Sequence, residues 1–163
     1  MKQCYQADTC PSRWNVAYDA DQEPSPGDFT SLGISQPFVY SSVAPYTEES
    51  QTDTPLTDED LEDSFLPVSS TARATDTKEG FPLTGFKLLT GSTVTISGGF
   101  HGAREIFDYT KPNGPTDTFD EVVLTNSGST EIYLLILHCT TSFYQQNKNA
   151  IDAVMSSFTV RSH

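Results

Sequence analysis

The sequence predicts an α+β fold: a twisted, mainly antiparallel sheet with helices packed on its faces. Three observations support this prediction. After residue 83, runs that alternate apolar and polar residues are separated by turns rich in Gly, Asn and Pro, as in an antiparallel sheet. The run Ile132–Leu137 is apolar or aromatic at every position, which is typical of a central strand covered on both faces. Ser142 begins a stretch whose apolar residues recur at helical spacing.

Two strands are predicted in the first half of the chain. Arg13–Asp19 alternates as a short strand does, and Leu32–Val43 is apolar and aromatic. Residues 22–28 contain two prolines and a glycine, and they form a turn between the strands. Because proline cannot donate a ladder hydrogen bond, Pro37 and Pro45 place the second strand near an edge of the sheet or confine it to a short piece.

Residues 45–66 form an acidic segment without a basic side chain. Thr57 has the position of an N-cap, and the three acidic residues after it stand in the first helical turn, where the helix dipole favours negative charge. The helix is predicted to end at Pro67. Its buried stripe would consist of three apolar side chains: Leu61, Phe65 and Leu66. A second helical stretch through residues 71–79 would stop at Gly80.

The second half of the chain predicts a series of strands. There are five: Phe86–Leu89, Thr93–Ser97, Phe100–Tyr109, Phe119–Thr125 and Thr130–Cys139. A glycine separates the first two, and Gly98–Gly99 forms the next tight turn. Lys111–Pro115 is a turn, and residues 126–129 connect the last two strands as a hairpin.

The clearest helix is predicted at the C-terminal end of the chain. Ser142 and Gln145 have the spacing of a capping box. Five residues would form the buried face of this helix: Tyr144, Ile151, Val154, Met155 and Phe158.

The charge of the chain excludes two classes of partner. Its 163 residues include 22 acidic and 9 basic side chains, for a formal net charge of −13. Nucleic acids and anionic membrane surfaces are bound by clusters of Lys and Arg, which this sequence lacks. No stretch approaches the roughly 20 consecutive apolar residues of a membrane span. The length predicts a single domain over residues 13–163, preceded by an irregular segment at residues 1–12.

The three cysteines have different predicted roles. Cys4 and Cys10 either form a disulfide that closes a small loop or remain two free thiols. A zinc site is not expected there, because zinc requires four ligands and no further Cys or His is close in sequence. Cys139 ends an apolar run and is predicted to be a buried, unreactive thiol.

No set of residues in the sequence predicts catalysis. His138 and Cys139 are adjacent, but neighbouring strand residues point to opposite faces, so their side chains cannot form a hydrogen-bonded pair. His101 is predicted to be a surface residue beside a turn. The Gly-x-Ser-x-Gly motif and phosphate-binding loops are absent. We therefore expect no catalytic residues, no cofactor and no enzymatic activity, with a hydrolase of unrecognised site as an alternative.

A calcium loop is considered because three acidic residues alternate with other residues after the first strand. They are Asp19, Asp21 and Glu23, and they have the first odd spacings of an EF-hand loop. Pro24 stands where the loop requires glycine, and Thr30 stands where it requires a bidentate glutamate. No metal site is therefore predicted.

The last eighty residues resemble PsbP-like proteins. The series Thr-Val-Thr-Ile-Ser-Gly-Gly-Phe-His-Gly-Ala at 93–103 is similar to a strand–turn–strand of this family. Leu137–Tyr144 and Ile151–Phe158 are similar to its last strand and final helix. The pattern is nearest to actinobacterial LpqN-type lipoproteins and covers about residues 83–160. The resemblance implies an α/β/α sandwich with a binding or accessory role, and residues 48–63 have no counterpart in it.

Two surfaces are predicted to bind a partner. The first is a groove between sheet and helix, lined by aromatic residues: Trp14, Tyr18, Phe38 and Tyr40. The second is the acidic helix, which is either a solvated face or a surface for a basic protein partner. Its residues are Glu59, Asp60, Glu62 and Asp63.

Together these features predict a non-enzymatic binding or accessory module that docks a protein partner or a small apolar ligand. The resemblance implies a secreted bacterial protein or an envelope lipoprotein. Met1–Cys4 leads directly into polar sequence, so we expect any signal peptide or lipid anchor to lie outside this sequence. The alternative is a cytoplasmic acidic interaction or immunity protein that neutralises a basic partner.

Overall fold

The computed structural model describes residues 14–20, 37–46 and 56–161. These residues form six strands and three helices. In chain order they are β1 (Trp14–Asp19), β2 (Phe38–Pro45), α1 (Asp58–Glu62), α2 (Ser70–Lys78), β3 (Thr84–Ile96), β4 (Phe100–Thr110), β5 (Thr116–Thr125), β6 (Glu131–Thr140) and α3 (Thr141–Ser156). The strands form one sheet in the order β1-β2-β6-β5-β4-β3, and every neighbouring pair is antiparallel. The predicted fold class is confirmed.

The alternation of side chains along β6 shows how the sheet carries two cores. Leu134 and Ile136 pack in a core together with residues of α1, which we call the α1 face. Leu135 and Leu137 pack on the opposite side against residues of α3, which we call the α3 face. Because successive strand residues point to opposite faces, a strand covered on both sides is apolar at every position. The prediction of a central, doubly covered strand at Ile132–Leu137 is confirmed.

β2 and β3 differ in part from the predicted strands. β2 extends to Pro45, but it is short and lies next to the edge strand β1, so the prediction of a short strand near an edge is confirmed. The part of its predicted range before Pro37 lies outside the described residues. β3 is one continuous strand, since Gly91 pairs with Glu105 in register instead of interrupting the ladder.

α1 is capped as predicted but is shorter. The Thr57 side chain accepts a hydrogen bond from the Asp60 N–H, and the Asp60 carboxylate accepts one from the Thr57 N–H at 2.9 Å. The helix ends at Glu62 and not at Pro67, so the expected helical stripe through Phe65 is wrong. Asp63 accepts hydrogen bonds from two backbone N–H groups beyond Pro67, and these bonds turn the chain out of the helical path.

The N-cap of α3 lies two residues before the predicted one. Thr140 is the N-cap, and its side chain accepts a hydrogen bond from the Phe143 N–H, so the capping role assigned to Ser142 is wrong. Thr140 is also the last residue of β6, which means that strand and helix are joined without a loop. Val154 is 44% exposed and does not belong to the buried face, whereas Ile151 does.

Cys139 is buried, as predicted, and its chemistry follows from that burial. The residue is 1% exposed, and burial raises the pKa of its thiol to about 12, with the charges of Asp117 and Asp120 adding to the effect. Because the thiolate is the nucleophile, we expect no iodoacetamide labelling of Cys139 in the native protein at pH 8 and complete labelling in denaturant. Peptide-resolved mass spectrometry measures both. Equal labelling rates with and without denaturant would contradict this prediction.

Candidate functional site

An apolar groove opens on the α3 face. It lies between β1, β2 and β6 on one side and the C-terminal end of α3 with the residues after it on the other, and its volume is about 960 Å³. Nine of its lining residues are apolar or aromatic: Trp14, Tyr18, Val39, Val43, Tyr133, Leu135, Val154, Phe158 and Val160. A cavity of this size with such a lining has the character of a small-molecule site.

Strand register places the two aromatic residues of β1 in this groove. Trp14 pairs with Val43, and Tyr18 pairs with Val39, so all four side chains stand on one face. β1 is one of the two edge strands of the described sheet, and its aromatic rings are therefore only partly covered: Trp14 is 52% exposed and Tyr18 is 69% exposed. Large exposed aromatic side chains at the mouth of a groove are available to a ligand.

The structure separates the four aromatic residues that the sequence placed together. Phe38 and Tyr40 lie on the α1 face, because side chains alternate along β2 and its register aligns Val39 with Tyr18. Phe38 is buried with its ring edge towards His138, at 5.7 Å between centroids. Tyr40 packs near Phe65 at 6.3 Å. Only the β1 members of the predicted set reach the groove.

The sequence predicts a groove between sheet and helix but does not identify the residues of its helical wall. Val154 was assigned to the core, although it belongs to the edge of the apolar stripe and lines the groove, as do Phe158 and Val160 beyond the helix end. The polar lining is limited. Glu131 accepts a hydrogen bond from the Tyr133 hydroxyl at 2.5 Å, and Arg161 contributes a positive charge. The arrangement therefore favours apolar contact over recognition by hydrogen bonds.

Much of the predicted acidic surface has an internal structural role. Asp60 is held by hydrogen bonds from the N-cap threonine, and these lower the pKa of its carboxyl. Asp63 binds backbone groups, as described above. Glu62 has a raised pKa, first because of burial and then because of its acidic neighbours. Glu59 is exposed.

His138 belongs to a buried polar cluster. Its Nε2 lies 2.7 Å from Asp117 Oδ2, which also pairs with Lys111 Nζ at 2.5 Å. The ring stacks on Phe119, at 4.5 Å between centroids. All three polar residues are less than 10% exposed. Cys139 packs on the α3 face, so the expectation that it cannot pair with His138 agrees with the geometry.

His101 is not a free turn residue. Its Nδ1 lies 2.8 Å from Asp58 Oδ1, which ties the start of β4 to α1. Both side chains are about one third exposed, at 36% and 34%. The contact is therefore a partly screened link between helix and sheet.

Arg104 links α3 to the sheet beside the groove. Its Nε and Nη2 donate to the two carboxylate oxygens of Asp120 at 2.9 Å and 2.7 Å, and Nη2 also reaches Asp152 at 3.0 Å. The Tyr144 hydroxyl donates to Asp120 Oδ2 at 2.9 Å. Asp120 is 0% exposed, so this bidentate pair is a buried one. Hydrogen bonding to Asp120 raises the pKa of Arg104, and burial raises that of Tyr144.

Two further expectations are only partly covered by the structure. Asp21 and Glu23 of the calcium comparison, and both members of the Cys4–Cys10 pair, lie outside the described residues. Within residues 14–20, 37–46 and 56–161, no three His, Cys, Asp or Glu side chains are grouped so that they could hold a metal ion. In the same ranges, no helix has the length and apolar character to cross a membrane.

Comparisons with known proteins give similarity at the level of fold. No protein-family model matches the chain, and no curated protein matches it. PA94 from Pseudomonas aeruginosa, described as a protein of unknown function and proposed regulator, superposes with a TM-score of 0.54 at 16% identity, over 96% of this chain and 89% of that one. The PsbP protein CyanoP from Synechocystis sp. PCC 6803 superposes with a TM-score of 0.49 at 15% identity, over 90% and 82%. CyanoP is named as a member of the PsbP family, which is the family that the sequence resembles. Neither similarity identifies the LpqN-type lineage.

Proposed function

We propose that this protein is a non-enzymatic binding module whose groove on the α3 face takes a small apolar ligand. One observation carries the proposal: a cavity of about 960 Å³ with apolar walls contains the single tryptophan of the chain, half-exposed. A contiguous exposed apolar surface, as opposed to a single exposed apolar side chain, marks a site that a partner or ligand covers. The few polar groups in the lining favour a ligand that is held by contact area.

Binding of a neutral apolar probe tests this proposal. Because Trp14 lines the groove, a ligand such as N-phenyl-1-naphthylamine should quench its fluorescence as it binds. We expect saturable quenching at a stoichiometry of one. Tyr18→Ala removes an aromatic wall and is expected to raise the dissociation constant about fivefold, since an aromatic contact contributes about 1 kcal/mol beyond its area.

Phe143→Ala is the matched control for this experiment. Phe143 is 38% exposed on α3 but does not line the groove. Its truncation should leave the dissociation constant unchanged. Quenching that does not saturate, or equal weakening by Tyr18→Ala and Phe143→Ala, would exclude the groove as the binding site.

Two further elements of the proposal rest on the sequence. The absence of a recognisable catalytic motif supports a binding role, and the resemblance to envelope lipoproteins supports export. The oxidation state of Cys4 and Cys10 in protein from its native source tests the second element. A disulfide between them supports an oxidising compartment, whereas two free thiols count against it.

A further inference from the structure

Two glutamates stand directly opposite each other on the α1 face. Glu105 of β4 and Glu121 of β5 are register partners, so both side chains leave the same side of the sheet at the same level. Like charges in directly opposite positions destabilise an antiparallel pair. The sequence does not reveal this juxtaposition, because the two residues belong to different strands and only register brings them together.

Both glutamates are buried without a hydrogen-bond partner for most of their oxygens. Glu105 is 6% exposed and Glu121 is 3% exposed. In the described part of the chain, Glu105 Oε2 and both oxygens of Glu121 have no partner. An ionised carboxylate buried in this way is costly, so such groups either pair or hold a proton.

The charged groups that face the pair add to the cost of ionising it. Asp63 acts on both glutamates as a negative charge, and Glu62 at the end of α1 acts on Glu105. On the other side, β3 presents Gly91, where an added Cβ would lie 3.0 Å from Glu105 Oε1. No positive charge faces the pair from these elements.

We propose that the Glu105–Glu121 pair is a pH-sensitive latch: α1 stays closed over the sheet while the pair is protonated and lifts from it when the pair ionises. Closure buries Leu61 of α1 completely on the α1 face. Ionisation places negative charges beneath a helix whose own end is acidic. The helix is only five residues long, so it opens as a local unit before the remaining fold does.

The direction of the pH dependence follows from the pKa values. Burial, followed by the charges of Glu62 and Asp63, raises the pKa of Glu105 to about 7, and burial raises that of Glu121 well above its ordinary value. The closed state therefore holds protons that the open state releases. Closure is most stable below about pH 4.5 and weakens as the pH rises through 7. For each proton that is released when α1 opens, the equilibrium constant between the open and closed states rises by up to about tenfold per pH unit.

Hydrogen exchange of the intact chain at pH 6 and pH 8 tests the latch. After correction for the chemical exchange rate, we expect peptides covering residues 56–66 to lose at least about tenfold in protection at pH 8. Peptides from α3 should stay equally protected at both pH values. Glu121→Gln and Glu105→Gln should each reduce the loss of protection of residues 56–66 at pH 8, because one buried glutamate still ionises, and the double variant should abolish it. Glu79→Gln, an exposed carboxyl control, should behave as the wild type.

Three results would overturn the proposal. The first is equal protection of residues 56–66 at the two pH values. The second is simultaneous loss of protection in α3, which would indicate global unfolding. The third concerns His101, which also links α1 to the sheet. If His101→Asn removes the pH dependence and the double glutamine variant leaves it unchanged, the histidine and not the glutamate pair controls α1.

Discussion

Gly102→Ala is expected to lower the free energy of unfolding by at least about 3 kcal/mol, the upper end of the range for overpacked sites. An ideal Cβ on Gly102 would lie 1.9 Å from the carbonyl oxygen of Val123 and 2.9 Å from the Cα of Leu124. Both are backbone atoms of β5, so no rotamer change relieves the clash. β4 and β5 would have to separate in the middle of the sheet, where β5 is buried from its second residue to its last.

Urea unfolding followed by circular dichroism measures this effect. Gly128→Ala is the matched control, because the nearest atom to its added Cβ is the Thr130 Cγ2 at 3.6 Å, an ordinary contact. That variant should stay within about 0.5 kcal/mol of the wild type. A Gly102→Ala protein as stable as Gly128→Ala would show that the two strands are not as close as described.

Asp120→Ala is expected to cost about 3 kcal/mol of stability. Removal of this carboxylate leaves the Arg104 guanidinium and the Tyr144 hydroxyl without their buried partner. Breaking a buried ion pair from one side costs about 3–5 kcal/mol. We expect the lower end, since Arg104 keeps its contact with Asp152 and is 20% exposed.

Asp152→Ala is the control for the buried pair. Asp152 contacts both Arg104 and Lys148 but is 37% exposed, so its loss should cost no more than about 1 kcal/mol. Urea unfolding at low and high salt separates the two variants, because only the exposed contact is screened. Equal losses for Asp120→Ala and Asp152→Ala would contradict the assignment of Asp120 as the buried anchor of α3.

Local features of the chain were readable from the sequence. The apolar run of β6 predicted its central place, because the pattern depends only on side-chain alternation. The turn at Gly98–Gly99 followed from residue type, and both glycines have positive φ angles, 97° and 82°. The sequence alone does not identify the N-cap of α3, because Thr140 and Ser142 are both good N-cap residues. The position at which β6 ends selects Thr140.

Features that depend on strand register were not readable from the sequence. Tyr18 and Phe38 are aromatic residues of adjacent strands, yet register places them on opposite faces. The same holds for Glu105 and Glu121, which are 16 residues apart and meet only because β4 and β5 pair as they do. A one-residue slip would move every side chain to the other face, and no local pattern fixes that choice.

The direct passage from β6 into α3 has a consequence for ligand association. Tyr133 and Leu135 of the groove floor and Val154 of its wall belong to one backbone segment without a hinge between strand and helix. Floor and wall therefore keep a fixed separation before a guest molecule arrives. Because the groove is preorganised in this way, ligand binding does not cost the conformational entropy of ordering it. The affinity then depends on how well the ligand fits the shape that the groove has in the folded protein.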